Sequence, residues 1–173
     1  MTPQLIDERH MMLRLRCFEH ADRDLIVSYL NELNVTRLLS SRIPQPYSKN
    51  DADWWIETGS QSGVIRAIEK DGEFVGCIGA EPGQFEFERT AEVGYWLSQQ
   101  FWGKGIATEA LQLLIAEVKK DSKITRLQAT VFEGNTASGK VLKNCGFIQQ
   151  GCLPSAIYKN ERFYDALIFG RAV

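Results

Sequence analysis

The stretch AEVGYWLSQQFWGKGIATEA, residues 91–110, decides the fold of this chain. Its first part has the composition of a strand, and the apolar residues from Ile106 onward recur at the spacing of an amphipathic helix. Gly103 and Gly105 fall between the two parts, where they let the backbone turn tightly. We therefore expect a strand-turn-helix unit in which the first N–H groups of the helix converge on one point. The helix dipole adds positive charge there, which favours the binding of phosphate or pyrophosphate. An ordinary strand-to-helix loop with glycines is the alternative interpretation.

Two other phosphate-binding motifs fit this stretch poorly. A P-loop needs GxxxxGK followed by Ser or Thr, and the chain lacks that pattern. The dinucleotide pattern GxGxxG is approached by residues 103–108, but residues 98–102 separate it from the end of the preceding strand. Too little chain follows to complete a doubly wound sheet, so a dinucleotide-binding fold is a weak alternative.

The composition is that of an ordinary globular protein. The chain has 173 residues, 44% of them hydrophobic and 24% charged, with a net charge of −2. These values predict one domain spanning residues 1–173 with a sizeable core. No stretch has the length and apolarity of a membrane helix, and the first ten residues lack the apolar core of a secretory signal. The mild acidity argues against binding nucleic acid through bulk charge, so we expect a cytoplasmic enzyme.

The cysteines and histidines do not predict a metal site. The four cysteines form no CxxC pair, and only two histidines accompany them. We therefore expect neither a structural zinc ion nor a disulfide framework, but buried or half-buried thiols in a reducing compartment. The residues concerned are Cys17, Cys77, Cys145, Cys152, His10 and His20.

Periodicity predicts a mixed α/β (α+β) sheet of about six to seven strands with about four helices. Asp71-Gly72 predicts a tight hairpin turn, and Ser48 with Asp51 resembles a capping box at a helix start. The strands are predicted at 11–18, 64–69, 73–80, 91–97, 125–132, 147–153 and 162–170, and the helices at 19–33, from 48, from 106 and at 135–146.

Residues 100–105, Gln-Phe-Trp-Gly-Lys-Gly, resemble the coenzyme A signature [Gln/Arg]xxGx[Gly/Ala] of the GNAT acetyltransferases. The flanking residues 92–97 and 106–110 look like the RimJ/RimL branch, the ribosomal-protein N-terminal acetyltransferases and their relatives. Further similarities at 44–56, 135–147 and 165–170 extend the resemblance over nearly the whole chain. It implies a single-domain GNAT fold, a mostly antiparallel sheet whose splayed central strands hold acetyl-CoA.

The resemblance also implies the residues that would bind the cofactor. Backbone N–H groups of the turn would hold the pyrophosphate, and the last strand residue before it would pair with the pantetheine arm. An asparagine at the start of the next helix would contact that arm, as well as or instead of capping the helix. The residues are Leu97, Gln100, Gly103, Lys104, Gly105, Ile106, Ala107, Thr108 and Asn135.

Acetyl transfer to an amine needs a group that takes the amine proton and a group that protonates the leaving thiolate. Glu92 is the best carboxylate for the first task, through water, although an outward solvated glutamate is the alternative. Many GNAT enzymes use a tyrosine seven residues beyond the helix asparagine for the second task, but this chain has Leu142 there. RimL-like members have a serine three residues beyond it, which predicts Ser138 as proton donor, against a surface serine. Cys145, without a histidine nearby, is predicted to be a packed thiol.

The acceptor is not written in any motif. The resemblance favours a protein N-terminal α-amine, with a polyamine, an amino sugar or an amino acid as alternatives. A coenzyme A-binding sensor without turnover is the alternative from another class, and relatives that are often dimers suggest a homodimer. Four side chains could either contact the acceptor or serve the fold alone, by core packing or within the final hairpin: Tyr47, Trp54, Trp55 and Asp165. Tyr95 and Trp96 are expected in the core.

Overall fold

The described residues form one seven-stranded sheet, whose strands, numbered along the chain with the bounds given below, lie in the order β1-β2-β3-β4-β5-β7-β6. A computed structural model describes residues 12–120 and 123–173. All strand pairs are antiparallel except β4 and β5, which are parallel. The strands are β1 Leu13–Arg16, β2 Val64–Lys70, β3 Glu73–Pro82, β4 Thr90–Leu97, β5 Arg126–Phe132, β6 Ile148–Lys159 and β7 Arg162–Ala172.

The helices lie on both faces of this sheet. Leu111 and Leu114 belong to the core cluster on one face, whereas Ile26 and Ala52 belong to a second core cluster on the opposite side. The helices are α1 Arg23–Leu30, α2 Leu33–Thr36, α3 Lys49–Glu57, α4 Ile106–Val118 and α5 Thr136–Asn144.

Two local signals form the structures that they predict. Asp71 and Gly72 turn the β2–β3 hairpin with φ of 53° and 84°, the left-handed region that this turn requires. Ser48 accepts a hydrogen bond from the Asp51 N–H at 3.2 Å, and the Asp51 carboxylate accepts from the Ser48 N–H at 2.8 Å. This reciprocal pair is the predicted capping box, and it opens α3.

The helix predicted over residues 19–33 is wrong as one element, because Glu32 interrupts it. This residue has an extended backbone, with φ −71° and ψ 110°, between α1 and α2. Its carboxylate accepts hydrogen bonds from Ser98 Oγ at 2.8 Å and from the Gln99 N–H at 2.9 Å. Contacts with the segment after β4, distant in sequence, therefore override the helical periodicity.

The final hairpin is longer than predicted. β6 continues to Lys159 and turns at Asn160 and Glu161, with φ of 50° and 60°, so the expected loop after residue 153 is largely strand. Most residues of this edge strand are exposed, so no alternating apolar pattern marks them. Hydrogen bonding to β7 therefore defines this part of β6 as a strand, although its sequence has no strand-like alternation.

The β4–β5 pair is a fork. Its parallel pairing covers only residues 90–92 against 126–128, although β4 runs on to Leu97 and β5 to Phe132. Beyond Glu92 the two strands separate, which confirms the predicted splay in the middle of the sheet. The gap gives access to β4 from both faces.

Candidate active site

The first cavity, of about 570 Å³, lies in the fork. Its wall combines the end of β4, the turn that follows it, the start of α4 and the start of α5. This wall brings together most of the predicted site residues: Leu97, Gly103, Lys104, Gly105, Ile106, Ala107, Thr108, Asn135 and Ser138. We call this space the fork cavity.

The turn after β4 owes its shape to two left-handed glycines. Gly103 has φ 72° and Gly105 has φ 76°, and a Cβ added to either would meet no heavy atom within 4 Å. The need for glycine is therefore conformational rather than steric. Gly105 is the N-cap of α4, and no side chain of the described residues caps this helix. The first N–H groups of α4, at the wall of the fork cavity, are thus free to meet phosphate oxygens.

The backbone of Leu97 is turned toward the fork. Leu97 stands opposite Gly76 of β3, and the next residue, Ser98, donates its N–H to the Val75 carbonyl at 3.1 Å. Since hydrogen-bonded pairs alternate along an antiparallel ladder, the Leu97 N–H points away from β3. The Leu97 carbonyl accepts from Trp102 Nε1 at 2.9 Å. A ligand in the fork can therefore reach strand-like backbone groups at Leu97, as the coenzyme prediction requires.

Gln100 is the predicted cofactor residue that the structure does not bring to the fork cavity. Its side-chain amide instead lies 3.5 Å from the Tyr29 hydroxyl on α1. Lys104 does line the cavity, with its ammonium group 5.5 Å from the centroid of the Phe101 ring. The fit of this wall to coenzyme A therefore depends on backbone groups of the turn more than on the glutamine of the signature.

Asn135 and Ser138 are joined at the start of α5. Asn135 Oδ1 accepts from the Ser138 N–H at 3.2 Å, so the asparagine caps the helix while lining the fork cavity. Ser138 Oγ lies 2.8 Å from the Tyr95 hydroxyl, and either oxygen can donate. Burial raises the pKa of Tyr95 to about 12. Leu142, seven residues beyond Asn135, is fully buried.

Tyr95 is therefore a functional candidate that the sequence did not reveal. Strand alternation places its ring on the same face as Val93 and Leu97, which are buried core residues. It is half-buried, and its hydroxyl reaches across the fork to α5. The contact joins two segments that are distant in sequence, so no local pattern could reveal it.

A second cavity, of about 380 Å³, lies on the α1–α3 side of β4. We call it the acceptor-side cavity. Its wall includes five aromatic side chains, from Tyr47, Trp54, Trp55, Tyr95 and Trp96, and three carboxylates, from Asp51, Glu81 and Glu92. Leu39, Tyr95 and Trp96 line both cavities, so the two spaces adjoin there.

Glu92 lies where the β4–β5 ladder ends. Its carboxylate accepts hydrogen bonds from the Thr130 N–H at 2.9 Å and from Gln128 Nε2 at 3.5 Å. The carboxylate thus satisfies a β5 donor that β4 no longer reaches. Desolvation raises the pKa of Glu92, and the hydrogen bonds from Thr130 and Gln128 partly oppose that shift. Glu92 lines the acceptor-side cavity, and its hydrogen bonds join β4 to β5 at the base of the fork.

The remaining candidates have structural surroundings. Cys145 is buried, burial raises its pKa, and its thiol lies 3.5 Å from the Thr108 carbonyl. The expectation of buried or half-buried thiols holds for Cys77 and Cys145 but is wrong for Cys17 and Cys152, which are exposed. Asp165 accepts from the Ser155 N–H at 2.8 Å within the final hairpin, away from both cavity walls.

No metal centre or membrane span emerges from the described part of the chain. Within residues 12–120 and 123–173, no group of three or more His, Cys, Asp and Glu side chains could hold a metal ion. In the same residues, no helix has the length and apolarity needed to cross a membrane. His10 lies outside the described residues.

A fork with a glycine turn at a helix start, next to an aromatic and acidic cavity, is suited to group transfer from a phosphate-bearing cofactor. The family model "Acetyltransferase (GNAT) domain" matches residues 12–148. The chain belongs to this family. Membership confirms the predicted fold, the acyltransferase class and acetyl-CoA as the cofactor of the domain.

Individual relatives agree with this assignment. The chain is 33% identical to the ribosomal-protein-serine acetyltransferase of Escherichia coli (strain K12) over 109 residues, 61% of this chain and 59% of that protein. The alignments span about three fifths of the first curated relatives, 59% and 63% of their lengths.

Solved structures show the same fold. RimL, a ribosomal L7/L12 α-N-protein acetyltransferase in complex with coenzyme A, aligns with a TM-score of 0.80 and 23% identity, over 93% of this chain and 94% of that one. The microcin C7 self-immunity acetyltransferase MccE, in complex with acetyl-CoA and AMP, also gives 0.80 at 23% identity, over 93% and 92%.

Proposed function

We propose that this protein transfers an acetyl group from acetyl-CoA directly to a primary amine, the α-amine of a protein N-terminus. The observation that carries this proposal is the meeting of the two cavities at Tyr95 and Trp96. A donor in the fork cavity and an amine in the acceptor-side cavity would approach each other there without a covalent enzyme intermediate. The buried Cys145 thiol, whose pKa is raised, is unsuited to such an intermediate.

On the donor side, residues of the fork cavity would bind and orient acetyl-CoA. The N–H groups from Gly103 to Ala107 would hold the pyrophosphate, with the Thr108 hydroxyl beside them. The Leu97 backbone would pair with the pantetheine arm, and Asn135 would contact it while capping α5. Acetyl-CoA supplies the activated thioester. The residues fit it because the turn and the open strand edge present backbone donors to one continuous space.

On the amine side, the chain attracts a cation and removes a proton. Aromatic faces and carboxylates together favour a protonated amine. An N-terminal amine has a pKa of about 7.7 to 8.0, so part of it is neutral at pH 7 and a weak base suffices. Glu92, in the wall of the acceptor-side cavity, would accept the proton through water. Ser138, in the wall of the fork cavity, would protonate the leaving thiolate.

The preference for a protein N-terminus is supported by the E. coli relative, which is named for a ribosomal-protein substrate. A small amine is the second candidate, and the size of the acceptor-side cavity favours it. About 380 Å³ falls within the range of small-molecule pockets, roughly 300 to 1,000 Å³. Exposed free thiols at Cys17 and Cys152 support a reducing compartment, so we place the protein in the cytoplasm.

The test is acetyl-CoA consumption with a panel of acceptors. Peptides with a free α-amine and blocked lysines would be compared with N-terminally blocked copies that keep a free lysine, and with polyamines, amino sugars and amino acids. Thioester loss and product mass should be followed, because Cys17 and Cys152 would react with thiol reagents.

We expect turnover with the free α-amine and none with its blocked copy. Turnover confined to small amines would establish the second candidate instead. Tight binding of coenzyme A without turnover on any amine would refute the enzyme and indicate a sensor.

A further inference from the structure

Tyr95 occupies the boundary between the two cavities. Leu39, Tyr95 and Trp96 are the residues that line both, and of these Tyr95 carries the most acidic proton. Its hydroxyl lies 2.8 Å from Ser138 Oγ and 3.2 Å from the Ser138 carbonyl. Tyr95 therefore meets the serine at the place where donor and acceptor meet.

A serine alone is a poor acid for this reaction. General acid catalysis is most efficient when the pKa of the donor lies near the operating pH. The Tyr95 phenol, even with its pKa raised by burial to about 12, is a stronger acid than an alkyl hydroxyl. Leu142 is buried and provides no proton on α5. A phenol from the opposite side of the fork can provide one.

We propose that Tyr95 is the ultimate proton source for the leaving thiolate and that Ser138 relays its proton. This inference rests on the proposed acetyl transfer. As the amine nitrogen bonds to the acetyl carbonyl carbon and the carbon–sulfur bond breaks, the Ser138 hydroxyl proton would move to the sulfur and the Tyr95 proton to Ser138 Oγ. The Tyr95 phenolate then takes a proton from solvent, which replaces the proton that the amine has lost.

The surroundings of Tyr95 fit this role. The Ser138 hydrogen bond favours the phenolate, whereas burial disfavours it and sets the pKa of Tyr95 at about 12. Cys145 is the other titratable group that acts on the phenol, and burial raises the pKa of that thiol, so it stays neutral. The phenol is thus protonated at neutral pH and ready to donate.

The test combines Tyr95→Phe, Ser138→Ala and the double variant, with Tyr158→Phe on the exposed final hairpin as the matched control. Loss of a general acid costs about 10²- to 10⁴-fold. We expect Tyr95→Phe to lower kcat by roughly 100-fold with an unchanged KM for acetyl-CoA. The double variant should be no slower than the worse single variant, because the two hydroxyls act in series. The control should match the wild type.

A second measurement does not depend on turnover. Hydroxyls that donate toward the sulfur stabilise its thiolate, so the thiol pKa of bound coenzyme A, followed by thiolate absorbance, should lie below that of free coenzyme A. Tyr95→Phe should move this pKa back toward the free value while calorimetry shows that coenzyme A still binds.

The outcomes separate this inference from the proposed function. Wild-type turnover that persists within twofold in Tyr95→Phe overturns the relay and leaves the acetyltransferase intact. Independent, multiplicative losses in the two single variants, or a bound-thiol pKa that ignores Tyr95→Phe, also overturn it. A wild-type chain that acetylates no amine overturns the proposed function and the relay with it.

Discussion

The two cavities beside β4 are built in different ways. The fork cavity is shaped largely by backbone: a turn with two left-handed glycines, the uncapped start of α4 and an open strand edge. The acceptor-side cavity is shaped by side chains from five separate segments, around residues 30, 39–55, 65, 77–81 and 92–96. A cofactor common to a family can be held by backbone geometry, whereas the acceptor must be selected by side chains. Variants should therefore affect one substrate without the other.

The largest effect is expected in the acceptor-side cavity, for Glu92→Gln. If the carboxylate takes the amine proton, kcat should fall by about 100-fold while the KM for acetyl-CoA stays unchanged. Steady-state kinetics with both substrates varied would show this. Glu86→Gln, in an exposed turn outside both cavity walls, is the control. Unchanged kcat in Glu92→Gln would assign Glu92 to structure alone.

The pH dependence of wild-type kcat also tests Glu92 as the base. The pKa of Glu92 is raised, so kcat should rise with pH through a value above about 4.3, the usual glutamate pKa, and Glu92→Gln should lose that limb. A raised pKa also means that the folded protein binds the proton more tightly than the unfolded chain. Ionisation therefore costs stability as pH rises through that window, and Glu92→Gln should melt no earlier than the wild type at neutral pH.

The next largest effect belongs to the donor side. Gly105→Ala forces a side chain into φ 76°, at a cost of roughly 1 to 2 kcal/mol, without any steric contact. We expect coenzyme A to bind about 5- to 30-fold more weakly by calorimetry, with the acceptor KM unchanged. Gly151→Ala is the matched control, since its added Cβ also meets nothing and its φ is not left-handed. Equal affinity in both variants would show that the turn does not hold the pyrophosphate.

A smaller effect, on the acceptor alone, is expected for Trp54→Ala. Trp54 is 59% exposed yet lines the acceptor-side cavity, so its removal should spare folding. Loss of one aromatic face costs about 0.5 to 1.5 kcal/mol, which predicts a roughly 2- to 13-fold higher acceptor KM. Phe163→Ala, exposed on the final hairpin, controls for lost surface area. An equal rise in the KM for acetyl-CoA would contradict the division between the cavities.

The smallest effect should reach both substrates. Lys159 donates to the Thr36 carbonyl at 2.7 Å and to the Leu39 carbonyl, and Leu39 lines both cavities. Lys159→Met should raise both KM values about two- to threefold and lower the unfolding free energy by roughly 1 kcal/mol. Denaturant unfolding and kinetics would measure this, with the exposed Lys143→Met as control. A change in only one KM would show that residue 39 does not serve both cavities.

Local signals predicted much of the fold and the glycine turn to which we assign the donor. Asp71-Gly72 and the Ser48–Asp51 capping box specify their structures through groups a few residues apart, so the turn and the helix start can be predicted without tertiary contacts. The glycine turn at 103–105 is of the same kind, and the structure places it at the fork cavity as expected. Interactions within one short segment leave a pattern in that segment.

Contacts between distant segments could not be predicted in this way. Glu32 breaks the helix expected over 19–33 because its carboxylate binds residues 98 and 99. The exposed extension of β6 has no apolar alternation and is ordered by β7. Gln100, part of the signature, is directed to Tyr29. Each departure depends on partners that the local pattern does not contain.

The sequence by itself determined the class of protein, because a strand, two glycines and a helix start can form an anion-binding turn whatever surrounds them. Tertiary structure alone decided where the residues to which we assign the chemistry converge. The separation of β4 from β5 opens the fork, Glu92 closes its base, and Tyr95 reaches Ser138 across it. The physical reason is distance: backbone conformation is set by neighbouring residues, whereas a hydrogen bond across the fork requires the whole sheet to be packed.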